Sequence, residues 1–297
     1  MKKLIVIFSI LSNIAFSQVE YPLYDGIPPG NKQTKNQEVR IQTDTGREAL
    51  TKVTIPSITF FKAESTSPNA PAVIICPGGG YFRLSIFDGG NEVAKEFTKI
   101  GIHAIVLKYR NSTDSAYSVP FEQIPLQDLH QAYQITKTNA IKWGIDMNKL
   151  GIVGLSAGGH LSAMTSTPQF KLPWAFQILV YPIISFQDKF VLPRMQSRKT
   201  LIGTNPSEEK KGMYSPELHV TDSISPTFLV QSADDTQANV HSTLAYYQAL
   251  LEKKVPAQLL LYQKGGHGYS LHNKVQDEYW FPSVEKWLIL NNILIKK

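Results

Sequence analysis

Residues 150–161 read Leu-Gly-Ile-Val-Gly-Leu-Ser-Ala-Gly-Gly-His-Leu. The apolar run Leu150–Leu155 has the length and composition of a buried strand, and a helical pattern follows at once. Between them lies Gly154-Leu155-Ser156-Ala157-Gly158, a G-x-S-x-G sequence. As a bare pattern it says little, because glycine and serine recur by chance. Its strand–turn–helix setting is the informative part. Such a turn is sharp enough to force strained backbone angles on its serine. Small neighbours, here Gly154 and Gly158, avoid the clashes that would follow. The expectation is a nucleophile elbow that lifts the Ser156 hydroxyl clear of a sheet, beside a helix N-terminus that favours negative charge.

Working outward, short β-rich runs alternate with longer helical ones from about residue 70. Ala72–Cys76, His103–Leu107, Phe176–Tyr181, Thr227–Val230 and Gln258–Tyr262 read as strands. Gly90–Ile100, Leu126–Trp143, Val240–Lys253 and Val275–Asn291 read as helices. This alternation implies parallel βαβ units, and the near-continuous apolar strands imply a sheet covered on both faces. The fold class expected is α/β, with a mostly parallel central sheet and helices on both sides. Residues 18–60 look like an extended lead-in, with a β-rich run at Ile58–Phe61. Residues 186–222 are polar and irregular, and read as an insertion over one sheet edge with no core of its own. Residues 18–297 are thus expected to form one domain.

A serine nucleophile needs a base, an acid to orient it, and donors for the oxyanion. In elbow-type sheets the order along the chain is Ser, then Asp, then His. Of the histidines after Ser156, His267 stands in Lys264-Gly265-Gly266-His267-Gly268, directly after a strand, where flanking glycines let the imidazole reach the serine. His160 is expected to pack or hydrogen-bond structurally, and His241 to be exposed. The acid should leave the end of a strand. Thr227–Val230 is followed by Gln231-Ser232-Ala233-Asp234-Asp235. Asp235 is preferred; Asp234 is left as a loop cap or a solvated charge. Oxyanion donors should be the amide of Ala157 and backbone amides from an earlier loop, for which Gly79 and Gly80 of Pro77-Gly78-Gly79-Gly80-Tyr81 are chosen. His267 would then take the Ser156 proton as the hydroxyl attacks an ester carbonyl, with Asp235 fixing the imidazole tautomer. No H-E-x-x-H, Cys/His cluster or Ca²⁺ loop is present, so neither a metal nor another cofactor is expected.

With these residues placed, the sequence resembles exported bacterial α/β-hydrolases of the acetyl-xylan esterase type, which include feruloyl esterase-like relatives. The marks are CPGGGYF (76–82), VLKYR (106–110), WGID (143–146), GLSAGGHL (154–161), FLVQSADD (228–235) and KGGHGYSL (264–271). The resemblance implies an α/β-hydrolase fold and hydrolysis of acetyl esters on plant or algal polysaccharide or its oligosaccharides. It implies Ser156 as nucleophile, His267 as base and Asp235 as acid. Relatives commonly carry His where this chain has Gln231. Arg110 and Asp128 are expected to form a buried structural pair. Tyr81, Phe82 and aromatic or basic residues of 186–222 are candidates to line the acyl and sugar sites. Two other readings stand beside this one: a serine peptidase of related fold, and a non-catalytic carbohydrate-binding protein on a hydrolase scaffold.

Composition agrees with a folded enzyme. Hydrophobic residues make up 42% of the 297 residues, too many for a disordered chain. The formal charge is +6 from 30 basic and 24 acidic residues, spread without a basic stripe, so nucleic acid is not favoured as a partner. The start, MKKLIVIFSILSNIAFSQ, has two lysines, a short apolar core and the small-x-small pattern Ala15-Phe16-Ser17. That is the form of a signal peptide over residues 1–17, directing the protein to the periplasm or the medium, and its core is too short for a membrane anchor. Cys76 is the one cysteine, so folding uses no intramolecular disulfide, and its place in an apolar run predicts a buried, inert thiol.

Overall fold

A computed structural model describes residues 19–33, 35–43, 45–64, 68–111 and 116–295; the expected signal peptide lies outside them. Eight strands form the main sheet: β1 (Val19–Pro22), β2 (Ser57–Phe61), β3 (Ala70–Cys76), β4 (His103–Lys108), β5 (Ile145–Leu155), β6 (Gln177–Val180), β7 (Thr227–Ser232) and β8 (Ala257–Tyr262). Their order is β1-β2-β4-β3-β5-β6-β7-β8. The β1/β2 and β2/β4 pairs are antiparallel and all others are parallel. Parallel pairing puts the C-terminal ends of β3, β5, β7 and β8 on one side of the sheet, where the elbow and the loops of interest emerge.

The helices are α1 (Glu92–Lys99), α2 (Ile124–Trp143), α3 (Ala157–Met164), α4 (Ser197–Ile202), α5 (Glu208–Met213), α6 (Val240–Glu252) and α7 (Phe281–Leu290). Phe97 of α1 meets Phe281 of α7 at 4.9 Å, which puts those two helices on one face. Tyr133 of α2 packs edge-on against Trp174, whose indole N–H reaches Thr165 at the end of α3, so α2 and α3 share the other face. Strands sandwiched this way are buried along nearly their whole length, as in β3, β4 and β7.

Three expectations need correction. The final helix starts at Phe281 instead of Val275, with Pro282 in its first turn, where a missing N–H costs nothing. Val275 is exposed, and the residues just before the helix form a small ladder between His272–Asn273 and Glu278–Tyr279. The lead-in is more structured than its sequence suggests. Val39–Gln42 and Glu48–Thr51 form a hairpin that also pairs with Arg83–Leu84, on the loop after β3. Residues 186–222 join β6 to β7, neither of which is an edge strand, and they hold α4 and α5. Phe186, Met195, Leu201 and Tyr214 of this segment pack into the main core.

The expected Arg110–Asp128 pair is present and completely buried, at 2.7 Å. The backbone N–H of Arg110 donates to the same carboxylate, and its guanidinium also donates to the Pro29 carbonyl and to Asn31 Oδ1. Tyr24 O–H completes the set at 3.2 Å. One carboxylate thus ties the end of β4 to the first turns of α2 and to the lead-in. Asp128→Ala leaves the guanidinium buried without its counter-ion. It is expected to cost about 3–5 kcal/mol in urea unfolding, more than the paired replacement of Arg110 by Met and Asp128 by Leu.

Candidate active site

The elbow is built by crowding. Ser156 has φ 55° and ψ −118°, a region costly for any residue with a side chain. Its N–H donates to the Val180 carbonyl at 3.0 Å, and its own carbonyl accepts from the amides of His160 and Ile183. These bonds hold the strained angles in place. Gly158 shows why the next turn must be bare: a Cβ there would sit 2.0 Å from the Cys76 carbonyl oxygen and 2.5 Å from that of Pro77. The first turn of α3 therefore lies directly on the end of β3.

That contact sets Ser156 beside the Gly78–Gly80 loop. Gly79 has φ +131°, and a Cβ on it would meet the Arg83 carbonyl oxygen at 2.2 Å. Among the described residues, none of the Gly79, Gly80 and Ala157 amides donates to a backbone carbonyl. Both glycines line a cleft of about 200 Å³ that reaches Ser156 and His267.

The loop after β8 brings His267 to the serine. Ser156 Oγ and His267 Nε2 are 2.7 Å apart, and His267 Nδ1 lies 2.7 Å from Asp235 Oδ2. A carboxylate only accepts, so Nδ1 carries the proton and Nε2 is left to accept from the serine hydroxyl. Asp235 is nearly buried, and its other oxygen accepts from the amides of Gln237 and Ala238 at 2.8 and 2.9 Å. The structure therefore brings the three side chains chosen from sequence into one chain of hydrogen bonds. Asp234 turns the other way. Its Oδ1 accepts from the amides of Gly265 and Gly266 at 2.9 and 2.8 Å, fastening the loop that carries His267.

The other histidines fall where sequence put them or take plain roles. His241 is exposed. His160 is buried. Its Nε2 faces the Tyr214 carbonyl at 2.9 Å and must donate, so Nδ1 accepts from the Tyr81 hydroxyl at 2.7 Å. Burial lowers the His160 pKa from 6.5 to about 4. Tyr81 itself is buried against this imidazole and does not line the cleft, whereas Phe82 does. The turn explains the correction: Tyr81 has φ 66°, which reverses the chain so that the two rings point apart. Cys76 is buried and its thiol is pushed up to about 12, as an inert cysteine should be. Gln231 is buried and accepts from the Ser232 amide through its own side chain.

Sequence reasoning missed several cleft residues. Tyr181 stacks edge-on against His267 at 5.0 Å and accepts from the Ser270 amide through its hydroxyl. Arg47, Arg83, Asp88 and Gln237 also line the cleft. Arg194 does too, one of the basic residues of 186–222 that the sequence offered as candidates. No motif joins these positions. Only the pairing of the lead-in hairpin with the post-β3 loop brings Arg47 and Arg83 together.

Sheet order, elbow and loop placement define an α/β-hydrolase, the fold expected. Comparison with known proteins narrows this. The model of the prolyl oligopeptidase family matches residues 122–290, and the chain belongs to that family. A second family model, BD-FAE, matches residues 58–173. The chain is 31% identical over 208 residues to an acetylxylan esterase of Xylanibacter ruminicola, covering 68% of this chain. It is 29% identical over 278 residues to endo-1,4-beta-xylanase B of Butyrivibrio fibrisolvens, covering 89% of this chain. It spans only 42% of the length of each of these relatives. Among solved structures, the acetyl ester-xyloside bifunctional hydrolase of Caldicellulosiruptor lactoaceticus matches with a TM-score of 0.75 at 27% identity, over 95% of this chain and 100% of that one. The carboxylesterase Cest-2923 of Lactobacillus plantarum shares the fold, with a TM-score of 0.66 at 22% identity over 88% and 100% of the two chains. These findings show a member of the prolyl oligopeptidase family with the α/β-hydrolase fold, similar to proteins named as acetylxylan esterase and acetyl ester-xyloside hydrolase.

Two outcomes test this geometry. Asp234→Ala frees the loop that carries His267. It should slow labelling of Ser156 by a fluorophosphonate, followed by mass spectrometry, by about tenfold, while Asp234→Asn keeps an acceptor and most of the rate. His160 must stay neutral in the folded chain but takes up a proton at 6.5 when unfolded. The stability it supports is thus full above 6.5 and falls as pH drops toward about 4. Melting temperature should decline across that window, and less steeply in His160→Gln.

Proposed function

We propose that this protein is an exported serine carboxylesterase that removes small acyl groups, acetyl above all, from polysaccharides or oligosaccharides such as xylan. The observation that carries the reading is the unbroken relay Asp235–His267–Ser156, each link 2.7 Å, opening into a cleft lined by Gly79 and Gly80. The relatives named for acetylxylan and acetyl ester-xyloside hydrolysis support the substrate class.

The chemistry follows from the proton positions. Ser156 Oγ attacks the ester carbonyl as His267 Nε2 takes its proton. Asp235 stabilises the imidazolium that forms and keeps its ring oriented. Negative charge builds on the former carbonyl oxygen, which the amides of Gly79, Gly80 and Ala157 would stabilise without reorganisation. The tetrahedral intermediate collapses, His267 returns the proton to the departing sugar oxygen, and an acetyl-Ser156 ester remains. Water, deprotonated by the same imidazole, releases acetate and restores the serine. Every step uses side chains and amides of this chain, without a cofactor. The signal peptide pattern of residues 1–17 supports delivery to the periplasm or the medium, where polymeric or oligomeric sugar esters are met.

Membership of the prolyl oligopeptidase family favours a serine peptidase as the second reading. Turnover of p-nitrophenyl acetate beside an aminoacyl-naphthylamide separates the two. The native protein is expected to cleave the ester and release acetate from acetylated xylan. Ser156→Ala should lower the ester rate by about 10⁴–10⁶-fold. Amide cleavage without ester cleavage would reverse the order, and retained polysaccharide binding with no acyl-enzyme would support a non-catalytic carbohydrate binder.

A further inference from the structure

The cleft carries more positive charge than acetyl transfer needs. Arg47, Arg83 and Arg194 line it, against a single carboxylate, Asp88. Arg47 is already engaged, 3.3 Å from Asp88 and bonded to the Gly268 carbonyl. The other two are not. Among the described residues no carboxylate lies within ion-pair distance of Arg83 or Arg194, although most other arginines of the chain are paired with one. Arg83 is the more telling. Its Nε is buried yet has no hydrogen-bond partner. Its guanidinium lies 5.0 Å over the Phe82 ring, and its backbone N–H donates to the Gly79 carbonyl, so it rides on the loop that borders Ser156. Arg194 reaches the same cleft from the β6–β7 segment. A buried donor without an acceptor from the chain is costly, and a planar fork is suited to two oxygens of one anion.

Resting on the esterase reading above, we infer that the favoured substrate is an ester that carries a carboxylate, which Arg83 and Arg194 bind while Ser156 attacks the acyl carbon. Two sources supply that chemistry: a uronate residue next to the acetylated sugar, or a free carboxyl at the far end of a dicarboxylic acyl group. Either anion is fully ionised at neutral pH. A guanidinium–carboxylate contact in a partly enclosed cleft strengthens binding without changing the bond that breaks, so its signature belongs in KM.

The test uses the full-length chain and four substrates. Acetylated neutral xylo-oligosaccharide is compared with acetylated oligosaccharide bearing a glucuronate. The acetate ester of p-nitrophenol is compared with its hemisuccinate. In the native protein one anionic member of these pairs should show a KM about tenfold below its neutral partner, and the pair that does so identifies where the carboxylate sits. The advantage should shrink as salt is raised. Arg194→Gln and Arg83→Gln should each bring the anionic-to-neutral ratio of kcat/KM toward one, whatever either does to the neutral rate. Arg194 is exposed, so its variant decides the matter if Arg83→Gln fails to fold. Equal kcat/KM on neutral and anionic members of both pairs, independent of salt, would overturn the inference while leaving the esterase intact. No turnover of any of the four esters defeats the esterase reading itself.

Discussion

The contact that the site depends on is steric: the first turn of α3 pressed onto the end of β3. With no side chain on Gly158, its Cα stands against the carbonyls of Cys76 and Pro77. Those residues lead straight into the Gly78–Gly80 loop. One close approach therefore fixes two parts of the site, the serine and the glycine loop beside it. Neither could be moved separately, because the strained angles of Ser156 are held by hydrogen bonds to Val180, His160 and Ile183, across β6 and α3. Strain of this kind persists only when the surroundings over-determine it.

The second half of the site is joined to the first by paired strands. Register places Ser232 of β7 opposite Tyr262 of β8, so the chain leaves both strands at the same level. Two adjacent aspartates then divide the work. Asp235 turns inward to His267 Nδ1, and Asp234 turns outward to the amides of Gly265 and Gly266. A carboxylate accepting from amide donors makes strong, short bonds; Asp235 uses both its oxygens, and Asp234 takes two amides on Oδ1. The near-equivalence of Asp234 and Asp235 in the sequence conceals this division, since either could face the ring until the loop after β8 is placed.

What is legible in the sequence follows the range of the interactions involved. The elbow, the inner strands and the long helix α2 are written in local pattern: apolar runs, a 3.6-residue period, Gly and Pro at the breaks. Ser156 and His267 can be read because each is framed by glycines at a strand end. The pattern overextends the final helix because Val275 continues an apolar rhythm that Pro282 resets. The lead-in hairpin is not legible, since Thr51 pairs with Arg83 and nothing near either residue announces it. Tyr81 is misplaced for a related reason. A positive φ at a single residue decides which of two neighbouring rings enters the core, and strand alternation does not encode it.

The glycine-rich loop that carries His267 looks, from sequence, like the loosest part of the site. Its hydrogen bonds say otherwise. Before the histidine, Asp234 holds two successive amides. After it, Gly268 offers its carbonyl to Arg47, the Ser270 amide donates to the Tyr181 hydroxyl, Ser270 Oγ donates to the Asp88 carbonyl at 2.6 Å, and the Trp280 indole donates to the Ser270 carbonyl at 2.7 Å. The glycines supply the backbone angles, with φ of 62° and 79° at Gly266 and Gly268, and polar groups from separate segments of the chain supply the rigidity. Arg47 makes the arrangement consequential. It comes from the lead-in hairpin, which pairs with the loop bordering Ser156, and it reaches the loop bearing His267. The loop bearing His267 and the loop beside Ser156 are thereby referenced to one another through the hairpin as well as through the sheet.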